Sequence, residues 1–332
     1  MKKAVYVAGC LGFIGKHVTL KLLECGYQVY GVDSCTYAAD LEFLDTFSAW
    51  DNFTFEKVDI NDIEYLHDCD AFINCAAETH VGNSIVNSEK FVHSNIDGVR
   101  NVLECFRNYR IEGTMRPIFV HFSTDEVYGD IDNGSNDESS PLKPSNPYSA
   151  TKAAGDMLIL AWNRTYNIKY IIVRPSNNYG FNQYIEKLIP KTIKYLNMKR
   201  KIPLHDGGQP TRDWLNVKDT ANAIYLLLEK AFSEDKHLVE NQIFNISAGE
   251  HHRNIEVVSQ IIATHRFFSL KKARNEINDF VDFTYSRCGQ DVRYSVNSTK
   301  LRETAGWEPK ADFSQELRAI VKEGRENYKY QW

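Results

Sequence analysis

Two side chains on one predicted helix have the types and the spacing needed for proton transfer. Tyr148 and Lys152 stand four residues apart, so they lie on the same helical face. A phenol titrates at about 10 and is a poor base at neutral pH unless its anion is stabilised, which a nearby ammonium would do. The same pairing occurs by chance on many helices, so it indicates chemistry only in a fitting setting.

A pair of adjacent carboxyl groups follows a predicted strand. The segment 123–128 contains Asp125 and Glu126 directly after Thr124. Two carboxyls held close together tend to share a proton, with the pKa of one raised, which suits a division into acid and base. The alternative interpretation is that both side chains merely cap or solvate the end of the strand.

A glycine-rich turn near the N-terminus predicts a dinucleotide site. Gly9, Gly12 and Gly15 follow the first predicted strand and open the first helix, with Phe13 and Ile14 between them. Without Cβ atoms the backbone can turn tightly and approach a pyrophosphate, and a helix N-terminus offers unpaired N–H groups. Glycines also serve ordinary strand–helix turns, so this motif needs its context.

The end of the second strand supplies that context. Asp33 lies about 20 residues after the turn, where an acidic side chain would bind the ribose hydroxyls of adenosine. It would repel a 2′-phosphate, and residues 34–37 contain no arginine, so the sequence predicts NAD rather than NADP. The positive nicotinamide of NAD would also help to stabilise a Tyr148 anion.

Two further strand ends are predicted to border the cofactor. Asp59 and Ile60 could contact the edge of the adenine ring. An equally good interpretation is that Asp59, at the end of a strand, caps the next helix. Ala76 and Ala77 follow the fourth strand, where small side chains are needed because the backbone passes close to the cofactor.

The elements that position these residues alternate between strands and helices. Strands are predicted at 3–8, 28–32, 54–57, 71–75, 118–123, 170–173 and 242–246, and helices at 14–24, 88–108, 148–165 and 217–230. Such alternation implies βαβ units with right-handed crossovers. The predicted fold class is α/β, a doubly wound parallel sheet of Rossmann type.

The alternation stops after about residue 175. Residues 176–215 are rich in Asn, Pro, Gly and Lys, and the C-terminal part mixes helix and loop before a basic, aromatic tail. We therefore predict an NAD-binding domain from 1–175 plus 216–247. A smaller α/β substrate lobe would comprise 176–215 plus 248–332.

The overall composition excludes several classes of function. The net charge of −5 and the lack of a Lys/Arg cluster argue against binding to nucleic acid or to a membrane surface. No apolar stretch is long enough to span a bilayer, and the N-terminus reads as a strand rather than a signal peptide. Seven cysteines without CxxC spacing indicate neither disulfides nor a metal site, so we expect a reduced, cytoplasmic protein.

Taken together, these motifs resemble the extended short-chain dehydrogenase/reductase family over nearly the whole chain. Within it, the segment 123–129 resembles the active-site strand of nucleotide-sugar 4,6-dehydratases, which are NAD-dependent hydro-lyases. The resemblance implies that Tyr148 takes the C4 hydroxyl proton and that Thr124 binds the C4 oxygen. Glu126 would then remove the C5 proton, while Asp125 protonates the departing C6 hydroxyl.

Later segments resemble the substrate-binding parts of the same enzymes. The residues implied to bind the nucleotide sugar are Ser84, Asn177, Lys187, Leu188, Arg212, Asn245 and Arg287. A guanidinium is the preferred bidentate partner of a phosphate, which singles out Arg212 for the diphosphate. The resemblance also implies a homodimer in which the helices at 88–108 and 148–165 pair with those of a second copy.

The choice of substrate stays open between several nucleotide sugars. Gly82-Asn83 stands where bacterial dTDP-glucose dehydratases usually show Asp-Arg, and residues 79–84 look closer to UDP-glucose dehydratases of rhamnose synthesis. Residues 212–215, in contrast, resemble the dTDP-sugar enzymes. We lean toward a UDP-hexose and keep dTDP-glucose and UDP-GlcNAc as candidates. The rival functions are a 4-epimerase or decarboxylase of this fold and a non-catalytic NAD-binding protein.

Overall fold

Seven parallel strands form the central sheet of the protein, whose computed structural model describes residues 3–109 and 116–326. The predicted tail at 327–332 and the first two residues of the predicted NAD-binding domain lie outside these ranges. The strands are β1 (Ala4–Ala8), β2 (Gln28–Asp33), β3 (Phe53–Lys57), β4 (Ala71–Asn74), β5 (Ile118–Phe122), β6 (Tyr170–Pro175) and, later in the chain, β10 (Gln242–Ile246). Their order is β10-β6-β5-β4-β1-β2-β3, which confirms the doubly wound parallel sheet.

Helices cover both faces of this sheet. They are α1 (Phe13–Glu24), α2 (Glu42–Ser48), α3 (Val81–Val86), α4 (Glu89–Val92), α5 (Gly98–Asn108), α6 (Pro147–Tyr166) and α8 (Val217–Ala231). In β1, Val5 and Val7 face the core shared with α1 and α8, while Tyr6 and Ala8 face the core shared with α5 and α6. Because both faces are buried, β1 reads as a continuous apolar run rather than an alternating one.

The start of α6 has a strong local signal. Asn146 accepts a hydrogen bond from the Ser149 backbone N–H at 3.0 Å, and the Ser149 hydroxyl lies 3.3 Å from the Asn146 backbone N–H. Pro147 occupies the first helical position, where its fixed φ favours the helix. This capping box fixes the residue at which α6 begins, and therefore the direction in which Tyr148 and Lys152 project from the helix.

One predicted helix is interrupted. Residues 88–108 form α4, then a π-helical turn at His93–Asp97, then α5. In that turn the buried Asn95 binds both backbone groups of Glu78 at 3.0 Å and the Thr151 hydroxyl at 2.9 Å. We attribute the wider turn to these bonds, because π-helical turns are rare and occur mostly as single turns at functional sites.

A second core lies beside the sheet. It is built around β7 (Asn177–Tyr179), β8 (Ile202–Pro203), β9 (Thr211–Asn216), β11 (His251–Arg253) and β12 (Val281–Asp282), with α7 (Leu188–Asn197), α9 (Asn254–Arg266), α10 (Leu270–Asn275), α11 (Ile277–Phe280) and α13 (Phe313–Glu326). One helix of the predicted substrate lobe packs elsewhere. Residues Leu301, Ala305 and Trp307, on and after α12 (Thr299–Ala305), lie in the core of the sheet domain, where the Trp307 indole donates to the Asp219 carbonyl.

Among residues 3–109 and 116–326, no helix combines the length and the apolar character needed to cross a bilayer.

Candidate functional site

A cavity of about 750 Å³ opens at the carboxyl ends of the parallel strands. Neighbouring β1 and β4 mark the point where the strand order reverses, which is where ligands bind in doubly wound sheets. One wall carries the glycine turn and Asp33, and the opposite wall carries residues of the second core. The carboxyl pair and Tyr148 lie between them.

The glycine turn has no space for larger side chains. Gly9 has a φ of +76°, and a Cβ there would lie 2.7 Å from the backbone nitrogen of Ala76. A Cβ on Gly15 would lie 1.9 Å from the Gly9 carbonyl oxygen. The first helix begins directly after Gly12, so its free N–H groups face the cavity, as a pyrophosphate site requires.

Asp33 is buried at the end of β2 and is held by the backbone. Its carboxylate accepts hydrogen bonds from Leu11 N at 2.9 Å and Cys35 N at 2.8 Å. Burial raises the pKa of Asp33, and these two N–H groups lower it. The carboxylate therefore joins the glycine turn to the segment after β2, at the place predicted for the ribose. This set of residues fits a dinucleotide.

The two further strand ends also line the cavity, as Asp59, Ile60, Ala76 and Ala77 all do. Asp59 accepts a hydrogen bond from the Asn61 backbone N–H at 2.9 Å within a turn. The structure describes all of residues 58–70 and no helix begins there, so the interpretation of Asp59 as a helix cap was wrong.

The carboxyl pair begins a short 3₁₀ turn, Asp125–Tyr128, after β5. Thr124 accepts from the Glu126 backbone N–H at 3.3 Å, and its hydroxyl donates to Asp125 Oδ1 at 3.3 Å. The other oxygen of Asp125, Oδ2, is buried without a hydrogen-bond partner among the described residues. A buried acceptor of this kind is costly when charged and is suited to carry a proton.

The surrounding charges act differently on the pKa values of the two carboxyl groups. Burial raises the pKa of Asp125 well above its usual range, and the negative charges of Glu126 and Asp213 add to that effect. Burial also raises the pKa of Glu126, but Arg212 and Arg287 oppose the rise. Asp125 is thus the better candidate for the protonated acid and Glu126 for the ionised base.

Tyr148 and Lys152 are both buried on α6, and Tyr148 lines the cavity whereas Lys152 lies behind it. Burial, together with the charge of Glu126, raises the pKa of Tyr148, while a hydrogen bond with Thr124 lowers it. Burial lowers the pKa of Lys152 to about 8, and the charge of Asp156 opposes the fall. The chain alone therefore keeps Tyr148 protonated, so its action as a base requires further positive charge.

Five of the seven predicted substrate residues line the cavity: Asn177, Lys187, Leu188, Arg212 and Arg287. Arg212 is held in place by the protein, since its guanidinium donates to the carbonyls of Thr211 at 2.8 Å and Asp291 at 2.9 Å. Arg287 keeps a buried Nε without a partner among the described residues. Of the two, Arg287 has more donors available for an anion.

The other two predicted substrate residues lie outside the cavity wall. The Ser84 hydroxyl donates to the Val81 carbonyl at 2.7 Å and accepts from the Tyr148 backbone N–H at 3.2 Å. Asn245 is fully buried on β10 and accepts from the Tyr128 hydroxyl at 2.8 Å. Both have their polar groups engaged by the protein, so we assign them to support of the site rather than to contact with substrate.

Lys191 also lines the cavity, and the sequence analysis did not identify it as a substrate residue. Burial lowers the pKa of Lys191, and the positive charge of Arg287 lowers it further. A partly buried lysine whose pKa is lowered by a second cation marks a place suited to an anion. Its spacing of four residues from Lys187, at the start of α7, is a signal that could have identified it.

The fold and the site define an extended short-chain dehydrogenase/reductase, because the Rossmann-type sheet, the glycine turn with Asp33 and the Tyr148–Lys152 pair occur together. The model of the family described as GDP-mannose 4,6 dehydratase matches residues 6–320. The chain belongs to this family of nucleotide-sugar 4,6-dehydratases.

Individual relatives agree with this assignment. The dTDP-glucose 4,6-dehydratase of Haemophilus influenzae is 38% identical over an alignment that covers 96% of each chain. That of Neisseria gonorrhoeae is 37% identical over 96% of this chain and 95% of its own. Among solved structures, the dTDP-glucose 4,6-dehydratase DesIV of Streptomyces venezuelae, with NAD and TYD bound, has a TM-score of 0.87 and 33% identity, covering 99% of this chain and 98% of its own.

Proposed function

We propose that the chain converts dTDP-glucose to its 4-keto-6-deoxy derivative with NAD as its cofactor. The observation that carries this proposal is the buried Asp125–Glu126 pair beside Tyr148, since water loss needs an acid and a base together. The two sequence relatives reported above, at 37–38% identity, are dTDP-glucose 4,6-dehydratases, which favours dTDP-glucose over the UDP-hexose expected from residues 79–84. The product would supply a deoxysugar such as rhamnose.

The glycine turn and Asp33 would hold the cofactor. When bound there, NAD would supply the hydride-transfer chemistry, namely oxidation of the hexose at C4 and later reduction at C6. Its positive ring also adds the charge that Tyr148 needs to act as a base. Tyr148 then takes the C4 hydroxyl proton, and Thr124 donates a hydrogen bond to the C4 oxygen.

The carboxyl pair would carry out the elimination. The C4 ketone acidifies the C5 proton, which Glu126 removes, and the C6–O bond breaks as Asp125 supplies a proton to the leaving hydroxyl. Arg287, Arg212 and Lys191 would bind the diphosphate, because all three line the cavity and cations make strong, charge-assisted hydrogen bonds to phosphate oxygens.

Product analysis tests the proposal directly. The protein, loaded with NAD, is incubated with dTDP-glucose, UDP-glucose and UDP-GlcNAc, and the products are identified by NMR. We expect a 4-keto-6-deoxy sugar, formed fastest from dTDP-glucose, and none with Tyr148→Phe. Epimerised hexose in place of that product would overturn the dehydratase assignment. A faster reaction with a UDP-sugar would overturn only the choice of nucleotide.

We also propose that the protein forms a homodimer through α3, α4 and α6. These three helices contact one another, and they present the exposed apolar side chains Val86, Val92 and Met157. Exposed apolar side chains on neighbouring elements favour a protein interface. The cytoplasmic location expected from the composition stays a prediction.

A further inference from the structure

Tyr294 lies between two carboxyl groups at the edge of the site. Its hydroxyl is 3.3 Å from Glu126 Oε2, and it makes a closer contact with Asp291 Oδ2. Both Tyr294 and Asp291 are at least 95% buried. Bulk water therefore does not compete for these contacts, and the direction of each hydrogen bond is set by the protein.

A phenol has only one O–H, so it can donate to only one of the two carboxyls. The closer contact is with Asp291, and a hydrogen bond to a charged acceptor is short and strong. Once that proton points to Asp291, the side of the Tyr294 oxygen that faces Glu126 carries lone pairs. These lone pairs repel an ionised Glu126, whereas a protonated Glu126 can donate a hydrogen bond to the Tyr294 oxygen.

Several contacts fix Asp291 in this role. The Ser145 hydroxyl donates to the same Oδ2 atom that receives the Tyr294 proton. Arg212 donates to the Asp291 backbone carbonyl at 2.9 Å, and its guanidinium carbon lies 4.4 Å from the centre of the Tyr294 ring. The Tyr294 ring and the backbone of Asp291 are thus held by the same arginine.

We propose that Asp291 and Tyr294 are positioning residues for the elimination: Asp291 fixes the Tyr294 hydroxyl so that it accepts a hydrogen bond from Glu126 only when Glu126 carries a proton. This inference rests on the proposed function, in which Glu126 is the base. It adds a reason why a carboxylate beside two arginines remains basic enough to remove a carbon-bound proton.

The hydrogen bond between Glu126 and Tyr294 affects one step, the elimination of water across C5 and C6. The C5–H bond breaks and its proton binds Glu126, while its electron pair forms the C5=C6 double bond. The C6–O bond breaks, and the leaving oxygen takes the proton of Asp125 and departs as water. Tyr294 stabilises the newly protonated Glu126 at the moment when the proton arrives, and the charge of Asp291 itself raises the pKa of Glu126.

Several ionisable groups act on Glu126, and those other than Asp291 and Tyr294 must stay unchanged in any test. They are Asp125 on its own turn, Tyr148 on α6, Arg212 on β9, and Arg287, Asp291 and Tyr294 in the segment before α12. Substitution of Tyr294 or Asp291 alone leaves the first four in place.

The test compares Tyr294→Phe and Asp291→Asn with Tyr27→Phe. Tyr27 is a matched control, because it too is buried and donates to a carboxylate, that of Glu229, away from the cavity. With the NAD-loaded enzyme and dTDP-glucose, stopped-flow absorbance of the reduced cofactor follows C4 oxidation. Quenched-flow product analysis and deuterium uptake at C5 follow the elimination, across a range of pH.

We expect Tyr294→Phe to slow the elimination about tenfold, the value of one buried hydrogen bond, and to leave C4 oxidation unchanged. The pH midpoint that reports ionisation of Glu126 should fall. In Asp291→Asn the Tyr294 hydroxyl becomes free to donate to ionised Glu126, so the midpoint should fall further. Tyr27→Phe should match the native enzyme.

Equal losses in oxidation and elimination, with the midpoint unmoved, would show a merely structural role and overturn the inference. Should Asp291→Asn fail to fold, Tyr294→Phe carries the test alone, and an unmoved midpoint in that variant counts against the inference. If the native enzyme reduces its cofactor but yields no 4-keto-6-deoxy product, the proposed function itself fails.

Discussion

A single methyl group added to the glycine turn gives the sharpest test of the cofactor site. In Gly15→Ala the new Cβ would lie 1.9 Å from the Gly9 carbonyl oxygen, whereas real Cβ contacts are essentially never below 3.0 Å. That oxygen must therefore move by about 1 Å or more. It also accepts the Gly12 backbone N–H at 3.1 Å, so the turn itself has to open.

The expected cost follows from what the turn does. An open turn withdraws one or two backbone N–H groups from the pyrophosphate, each worth about 1.5–3 kcal/mol to a charged acceptor. NAD should then bind roughly 10- to 100-fold more weakly or worse. Gly12→Ala is the matched control, because its Cβ would lie 3.2 Å from the same oxygen and the residue has a φ of −70°. It should weaken binding by less than about tenfold.

The assay measures NAD directly. Each variant is purified without added cofactor, the bound NAD is released by denaturation and counted per chain, and the dissociation constant is measured by calorimetry after removal of NAD. Equal NAD contents and equal affinities for Gly15→Ala and Gly12→Ala would refute the reasoning, since the two changes differ mainly in how close the new Cβ comes to the Gly9 carbonyl.

Three other changes have defined outcomes. Glu126→Gln should still reduce the cofactor when substrate is added but release no water, as followed by absorbance and NMR; a full turnover would contradict its role as base. Arg174→Met leaves Asp156 buried without its ion-pair partner at 2.9 Å and should lower the free energy of unfolding by about 3–5 kcal/mol in urea, far more than Arg107→Met in an exposed pair. Met157→Glu places a charge in the proposed interface and should shift the mass measured by light scattering from dimer toward monomer; an unchanged mass would exclude this face.

The strands of the sheet were predictable because their limits are encoded locally. Short apolar runs bounded by glycine or by polar residues placed β10 at its observed bounds and the others within two residues. The π-turn inside the predicted helix at 88–108 could not be seen in this way. Its cause is Asn95, whose partners Glu78 and Thr151 lie 17 and 56 residues away in sequence.

The candidate site shows the same limit. The glycine turn and the Tyr148–Lys152 pair are local patterns, and each was identified by its spacing together with the predicted strands and helices around it. The contact of Tyr294 with Glu126 joins residues that are 168 positions apart in sequence, so no local pattern predicts it. Burial had a further effect that motifs do not show: it raises the pKa of Tyr148, whereas the sequence had suggested that Lys152 would lower it.

The two backbone hydrogen bonds of Asp33 have a consequence for attempts to redesign the cofactor preference. Replacing this carboxylate with a small neutral residue would remove the repulsion of a 2′-phosphate, but it would also release Leu11 N and Cys35 N, and with them the two segments that shape the adenosine pocket. A switch to NADP in this scaffold therefore needs new acceptors for both N–H groups before any cation is introduced to bind the phosphate.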